Sequence, residues 1–220
     1  MMSKSIILSY AVTVCNEIVE IEKLITFLLK HKRPQDEVVI LFDKKNGHED
    51  IPDLVCSLFG EHSVENASNP KLHFHQGDFD NHFADWKNKL TGYCDGDYIF
   101  QIDADETPHK NLMTNLPAVL ESNIGTEFFW VPRINTVEGL TDADIKKWGW
   151  KVDDKGWIQF PDNQPRVYKN REGIVWKNKV HEQLEGYNSY TTLPQKEEWC
   201  LYHPKDIERQ RAQNEFYSTL

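Results

Sequence analysis

The stretch Tyr98-Ile99-Phe100-Gln101-Ile102-Asp103-Ala104-Asp105-Glu106 joins an apolar run to two carboxylates separated by one small residue. A strand buried on both faces reads as such a run, and its last polar residues emerge at the carboxyl edge of the sheet, where open α/β folds bind ligands. Asp103 and Asp105 are two apart, so on a strand they share a face, and Ala104 leaves room for both to reach one ion. Hard oxygen ligands suit Mg2+ or Mn2+, which bind through one or two carboxylates and complete their shell with water and substrate phosphates. The competing reading is a solvated acidic turn that caps the following helix.

The same grammar recurs upstream. Ser5 to Cys15 is an apolar strand, and Asn16-Glu17 leads directly into a helix with Ile18, Ile21, Leu24, Ile25, Leu28 and Leu29 at helical spacing. That apolar run has the length of a leader's core, but the amphipathic helix at its end fits a first strand better. Glu37 to Asp43 is a second apolar strand ending on a carboxylate, Lys71 to His75 a third, and residues 81 to 93 a helix. Strand and helix in alternation imply right-handed crossovers and a mainly parallel sheet, with Asn16, Asp43 and the Asp103/Asp105 pair at one edge. Thr107-Pro108 reads as a helix start, with Thr107 the cap and Pro108 the first helical position.

After Leu120 the pattern changes. Residues 127 to 134 read as a strand, and 135 to 156 as an irregular stretch bearing Gly, Asp and Trp. Short strands follow around Arg166-Val167-Tyr168, Ile174 to Trp176, Val180 to Leu184 and Trp199 to His203, and residues 205 to 217 form a polar helix. The expected organisation is one α/β domain over 1–220, with a nucleotide-type half (1–120) and a polar-aromatic half (121–220).

A net charge of -10 argues against a nucleic-acid partner held by phosphate neutralisation. Cys15, Cys56, Cys94 and Cys200 have neither C-x-x-C spacing nor the density of a disulfide framework, so they read as reduced thiols of a cytoplasmic protein. No apolar segment is long enough to span a bilayer.

Several ordered motifs together resemble the family 2 glycosyltransferases of the GT-A fold: Ala11-Val12-Thr13-Val14-Cys15-Asn16-Glu17, a strand ending in Asp43, Phe83 to Leu90, and Gly96 to Glu106. Asp162-Asn163-Gln164-Pro165-Arg166-Val167-Tyr168 and Val180-His181-Glu182 are similar to the pattern of the branch that includes lipopolysaccharide-core glucosyltransferases, and His203 stands where that branch often has a late histidine. Lys44-Lys45 after Asp43, and Lys87 where arginine is common, depart from the family pattern.

The resemblance implies inverting transfer from a nucleotide-diphosphate sugar to a glycan or glycolipid acceptor, at most peripheral membrane contact at the inner face, and Mn2+ or Mg2+ as cofactor. Asp103, Asp105 and His203 would hold the ion, and Asn16, Glu17, Asp43, Lys87, Asn88, Asp103 and Arg166 would line the donor site. Glu182 is the expected base, partly desolvated by the apolar residues flanking it, and Asp162 the rival. Each has an ordinary alternative: an ion pair for Glu182, Arg166 and Lys87, a strand-end histidine for His203. Trp148, Trp150 and Trp157 offer faces to a sugar acceptor or simply pack. His73 and His75 share a strand face without a local carboxylate, so they read as structural. Two other classes compete. A nucleotidyltransferase would want a Gly-rich loop after its first strand, and Val12 to Glu17 contains no glycine; a silent sugar-binding domain would keep the fold without the base.

Overall fold

The computed structural model describes residues 5–65 and 71–218. Three apolar strands form the heart of the sheet: β1 (Leu8–Val14), β2 (Glu37–Asp43) and β4 (Tyr98–Asp103). All seven positions of β2 are buried, as a parallel strand covered on both faces requires. With β3 (Leu72–Gly77) they pair in parallel in the order β3-β2-β1-β4.

Alternation along these strands divides the core into two layers. Tyr10, Val12, Ile40, Phe100 and Ile102 face α1 (Ile18–His31), α2 (Ile51–Glu65) and α4 (Lys110–Ser122). Ala11, Val39, Leu41 and Ile99 face α3 (Phe83–Thr91), which contributes Ala84, Trp86 and Leu90. Helix α1 buries Ile21, Leu24, Ile25 and Leu28, the stripe its spacing predicts.

The sheet continues without a break into the second half. β7 (Ile158–Lys169) runs antiparallel to both β4 and β6 (Phe128–Glu138), and β11 (Leu201–Asp206) runs parallel to β6. The two-residue strand β5 (Thr107–Pro108) pairs with β11, and β10 (Tyr190–Thr192) pairs with β6. A separate hairpin, β8 (Val175–Lys177) and β9 (Gln183–Glu185), lies against α3, and its Trp176 joins the α3 layer of the core. Helix α5 (Asp142–Trp148) interrupts the 135–156 stretch, and α6 (Ile207–Ser218) ends the described chain.

Three expectations need correction. Thr107 does not cap α4: it and Pro108 pair with Tyr202 and Leu201, while the His109 side chain accepts from the Asn111 N–H and starts the helix at Lys110. Glu182 is not within a strand; it precedes β9 in a turn in which Asn178 and His181 take φ of 75° and 53°. The short strand expected around Arg166 is the end of a twelve-residue one, hidden because Pro161 and Pro165 and the register shifts against β6 break its alternation. All four cysteines are unpaired, and among the described residues no helix is long and apolar enough to cross a membrane.

Candidate active site

The carboxyl edge of β1, β2 and β4 opens into a groove of about 1240 Å³, whose other walls come from α3, β6, β7, the β8–β9 turn, β11 and α6. Asn16, Glu17, Asp43, Lys87, Asp103, Asp105, Asp162, Arg166, Glu182 and His203 all line it, so strands distant in sequence bring most of the expected residues together.

On the sheet side the carboxylates shape their own turns. Glu17 Oε2 accepts from the N–H groups of Cys15 and Asn16, both at 3.0 Å, and bends the chain from β1 into α1. Asp43 is almost fully buried; its Oδ1 accepts from the N–H groups of Lys45 (3.1 Å) and Phe79 (3.2 Å), and its Oδ2 from Asn46 Nδ2 (2.8 Å). The Asp43 carboxylate therefore orders two loops at the groove's end. Burial, with Asp43 and Glu17 nearby, pushes the Cys15 thiol up to about 11, which keeps it a neutral thiol.

The floor is a chain of charges. Glu106, with no exposed surface, accepts from the Asp103 N–H (3.1 Å), Arg133 Nη1 (2.9 Å) and Arg166 Nη2 (2.6 Å). Arg166 Nη2 also reaches Asp103 Oδ2 at 2.5 Å. Burial pushes the Asp103 carboxyl up, but Arg166, with Lys87 and Arg133 behind it, outweighs that and holds it well below the usual range. Arg133 forks onto Asp162 Oδ2 through Nε (2.9 Å) and Nη2 (2.7 Å), as their cross-strand register in β6 and β7 dictates. Asn135 Nδ2 donates to the same oxygen (2.8 Å) and Gln164 Nε2 to Oδ1 (2.6 Å). Against the burial that raises it, these donors keep Asp162 below the usual carboxyl range.

Asn135 carries the chain onward to His203, its register partner in β11. Because its Nδ2 donates to Asp162, its Oδ1 is the acceptor, 2.7 Å from His203 Nδ1, so Nδ1 carries the proton. In the neutral ring Nε2 then faces Asp105 Oδ2, 3.3 Å away, with a lone pair. A carboxylate oxygen and an imidazole nitrogen this close, with the ring fixed from behind by an amide, could serve as two ligands of a divalent cation. Among the described residues no three His, Cys, Asp or Glu side chains form a closed cage. An ion held by Asp105 and His203 alone would leave most of its shell to substrate oxygens and water, the habit of Mg2+ and Mn2+. Asp103 Oδ2 is bonded to Arg166, and Asp105 lies beyond the end of β4.

Across the groove, Lys87 lies over the Trp176 ring (4.6 Å to its centroid) and its Nζ meets Glu182 Oε1 at 2.5 Å. Asn88, expected in the donor site, is not part of the lining: its Nδ2 donates to Trp176 O (2.9 Å) and its Oδ1 accepts from Trp176 N (2.8 Å), clamping β8 to α3. Of the three tryptophans only Trp150 reaches the groove, where it pairs with Trp148 at 4.6 Å between centroids. His73 lies 3.4 Å from Glu37, and His75 stacks on Tyr93. Glu106, Arg133, Asn135 and Arg209 carry the site's geometry without having been singled out in the sequence. Glu106 adjoins the aspartate pair and could have been flagged as a buried anion; the other three sit in no local motif.

No family model matches the chain, and no curated protein matches it in sequence. Solved structures do. TarS 1-349 of S. aureus in complex with UDP superposes with a TM-score of 0.61 at 13% identity, over 90% of this chain and 60% of that one. The mannosyltransferase PcManGT from Pyrobaculum calidifontis, in complex with GDP-Man and Mn2+, superposes with a TM-score of 0.60 at 13% identity, over 91% of this chain and 57% of that one. The chain thus spans about three fifths of these neighbours' length. Sheet order, groove position and these superpositions define the class: the chain has the GT-A fold of nucleotide-sugar glycosyltransferases.

Proposed function

We propose that this chain is an inverting, metal-dependent glycosyltransferase of family 2 that moves a sugar from a nucleotide diphosphate to a hydroxyl of a glycan or glycolipid. The observation that carries the reading is the Asp105–His203 pair, 3.3 Å apart, at the carboxyl edge of a GT-A sheet and inside a groove large enough for a nucleotide sugar. The neighbours' complexes with UDP, UDP-GlcNAc, GDP-Man and Mn2+ support a donor of that class. A divalent ion held by Asp105 and His203 would neutralise charge on the departing diphosphate as a Lewis acid.

The chain's own residues do the rest. Asn16 and the loops ordered by Asp43 and Glu17 receive the nucleotide, and Arg166 and Lys87 supply positive charge toward the diphosphate. The acceptor oxygen bonds to the anomeric carbon as the bond to the diphosphate breaks, and its proton passes to a carboxylate. Glu182 fits that task because its carboxylate stands at the groove wall against Lys87 alone among the contacts described for it. Asp162 is held by four side-chain donor contacts, which suits a positioning role: through Asn135 it sets the His203 ring. Peripheral contact with a membrane face would bring a glycolipid acceptor to the groove, and the net charge of -10 fits a partner other than nucleic acid.

Turnover of a panel of nucleotide sugars with and without Mn2+ tests the reading. Mn2+-dependent hydrolysis or transfer supports it. Pyrophosphate release from a nucleoside triphosphate and a sugar phosphate would replace it with a nucleotidyltransferase, and nucleotide binding without turnover of any donor would make the chain a silent binding domain.

A further inference from the structure

Helix α6 sends one charged group into the site. Arg209 Nη2 lies 3.2 Å from Asp105 Oδ2, the same oxygen that faces His203. The guanidinium also meets Glu17 Oε1 at 3.4 Å and, through Nη1, Glu20 Oε1 at 3.1 Å. One cation thus joins three carboxylates from two segments far apart in the chain. It also stands where the groove meets a second cleft of about 560 Å³, since Arg209, Lys205, Thr136 and Val137 line both.

Arg209 is one of two arginines through which the described part of α6 (Ile207–Ser218) forms ion pairs with the rest of the chain. Among the described side chains of α6 none is fully buried, and the packing at its start is Ile207 near Gly139. Among the contacts described for the helix are ion pairs of Arg209 with Asp105, Glu17 and Glu20, and of Arg211 with Asp144 at 2.9 Å. A divalent ion on Asp105 Oδ2 and a guanidinium hydrogen-bonded to that oxygen repel each other at short range.

We infer that Arg209 is a positioning residue that latches α6 onto Asp105 and is released when a divalent cation binds there, so that cation binding and helix docking oppose each other. This rests on the reading of Asp105 and His203 as cation ligands. Coupling of this kind is reciprocal: whatever factor the ion takes from helix docking, the docked helix takes from ion affinity. In the released state, α6 opens the groove toward the second cleft.

The test is titration of the 220-residue chain with Mn2+ alone, followed by electron paramagnetic resonance. Arg209→Gln removes the latch and should bind Mn2+ more tightly by a factor on the order of ten, with Arg209→Lys, which keeps the charge but not the three-way fork, between it and the unaltered chain. Arg211→Gln removes an equal charge from the same helix and should leave Mn2+ affinity within about twofold, a change far below the coupling range. Hydrogen exchange over 207–215 should rise on adding Mn2+ in the unaltered chain and start high in Arg209→Gln. Measurable but equal affinity in Arg209→Gln, weaker affinity, or an equal gain in Arg211→Gln overturns the latch and leaves the cation site standing. Absence of Mn2+ binding in both the unaltered chain and Arg209→Gln overturns the cation site and the latch with it.

Discussion

The two halves of the groove are held by different forces. On the β1–β2–β4 side, strands such as Val38 to Phe42 are buried on both faces, and the polar residues that reach the groove are simply where burial stops. On the β6–β7–β11 side the wall is a chain of hydrogen-bonded charged and polar groups from Arg166 through Glu106, Arg133, Asp162 and Asn135 to His203. Apolar burial is non-directional and tolerates small shifts, whereas a buried charged network is favourable only when each member finds its partner. The first side supplies a rigid edge, and the second fixes the orientation of individual side-chain atoms.

Mutation can break this contrast most sharply at Asp105, the meeting point of the two sides. Asp105→Ala should lower transfer by at least about 10³-fold, the several kcal/mol expected of a lost Lewis acid, with an almost unchanged unfolding midpoint because the residue lies beyond a strand end. Native turnover in that variant, measured with the best donor of the panel, would remove the metal from the mechanism.

The next effect separates the two carboxylates. Glu182→Gln keeps shape and hydrogen bonding but cannot take a proton, so turnover should fall by about 10²–10⁴ with donor affinity retained. Asp162→Asn should instead weaken Mn2+ binding through Asn135 and His203, by about 10- to 100-fold. If Asp162→Asn loses turnover at saturating Mn2+ while Glu182→Gln does not, their roles are exchanged.

A stability pair probes the forces themselves. Ile40→Ala in the apolar side should cost about 2–5 kcal/mol and leave turnover per folded molecule near native. Glu106→Ala leaves Arg133 and Arg166 without their shared anion, and should cost about 3–5 kcal/mol and lose turnover as well. Denaturant unfolding beside activity would show whether the two variants differ as stated; equal retention of turnover would mean the charged floor is only structural.

The smallest effect lies in acid. Asp103 and Asp162 both have carboxyls depressed in the folded chain, by Arg166 and Arg133 respectively against their burial. A depressed folded value means their contribution is complete above the unfolded carboxyl range, near pH 4, and is lost as pH falls below it through the folded values. Denaturant midpoints should therefore decline below about pH 4, and less steeply in Asp162→Asn. Identical slopes would show that the Asp162 contacts add nothing to stability.

What could be read directly from the chain was whatever depends on neighbours in sequence. The runs Glu37 to Asp43 and Tyr98 to Asp103 announce buried strands because all positions but Glu37 and Gln101 are apolar until the edge, and the positions of Asn16, Asp43, Asp103 and Asp105 follow from where the runs stop. The helical stripe of α1 is legible for the same reason. The bulged β7, the clamp of Asn88 on Trp176 and the contact of Arg209 with Asp105 were not legible. Each depends on a partner dozens of residues away or on a register that prolines and bulges disguise. Residue types and local periodicity determined the strands, the edge and the acidic pair of this protein. Only the tertiary structure decided which oxygen faces which nitrogen, because cross-strand register and side-chain competition for buried partners are settled when the sheet closes.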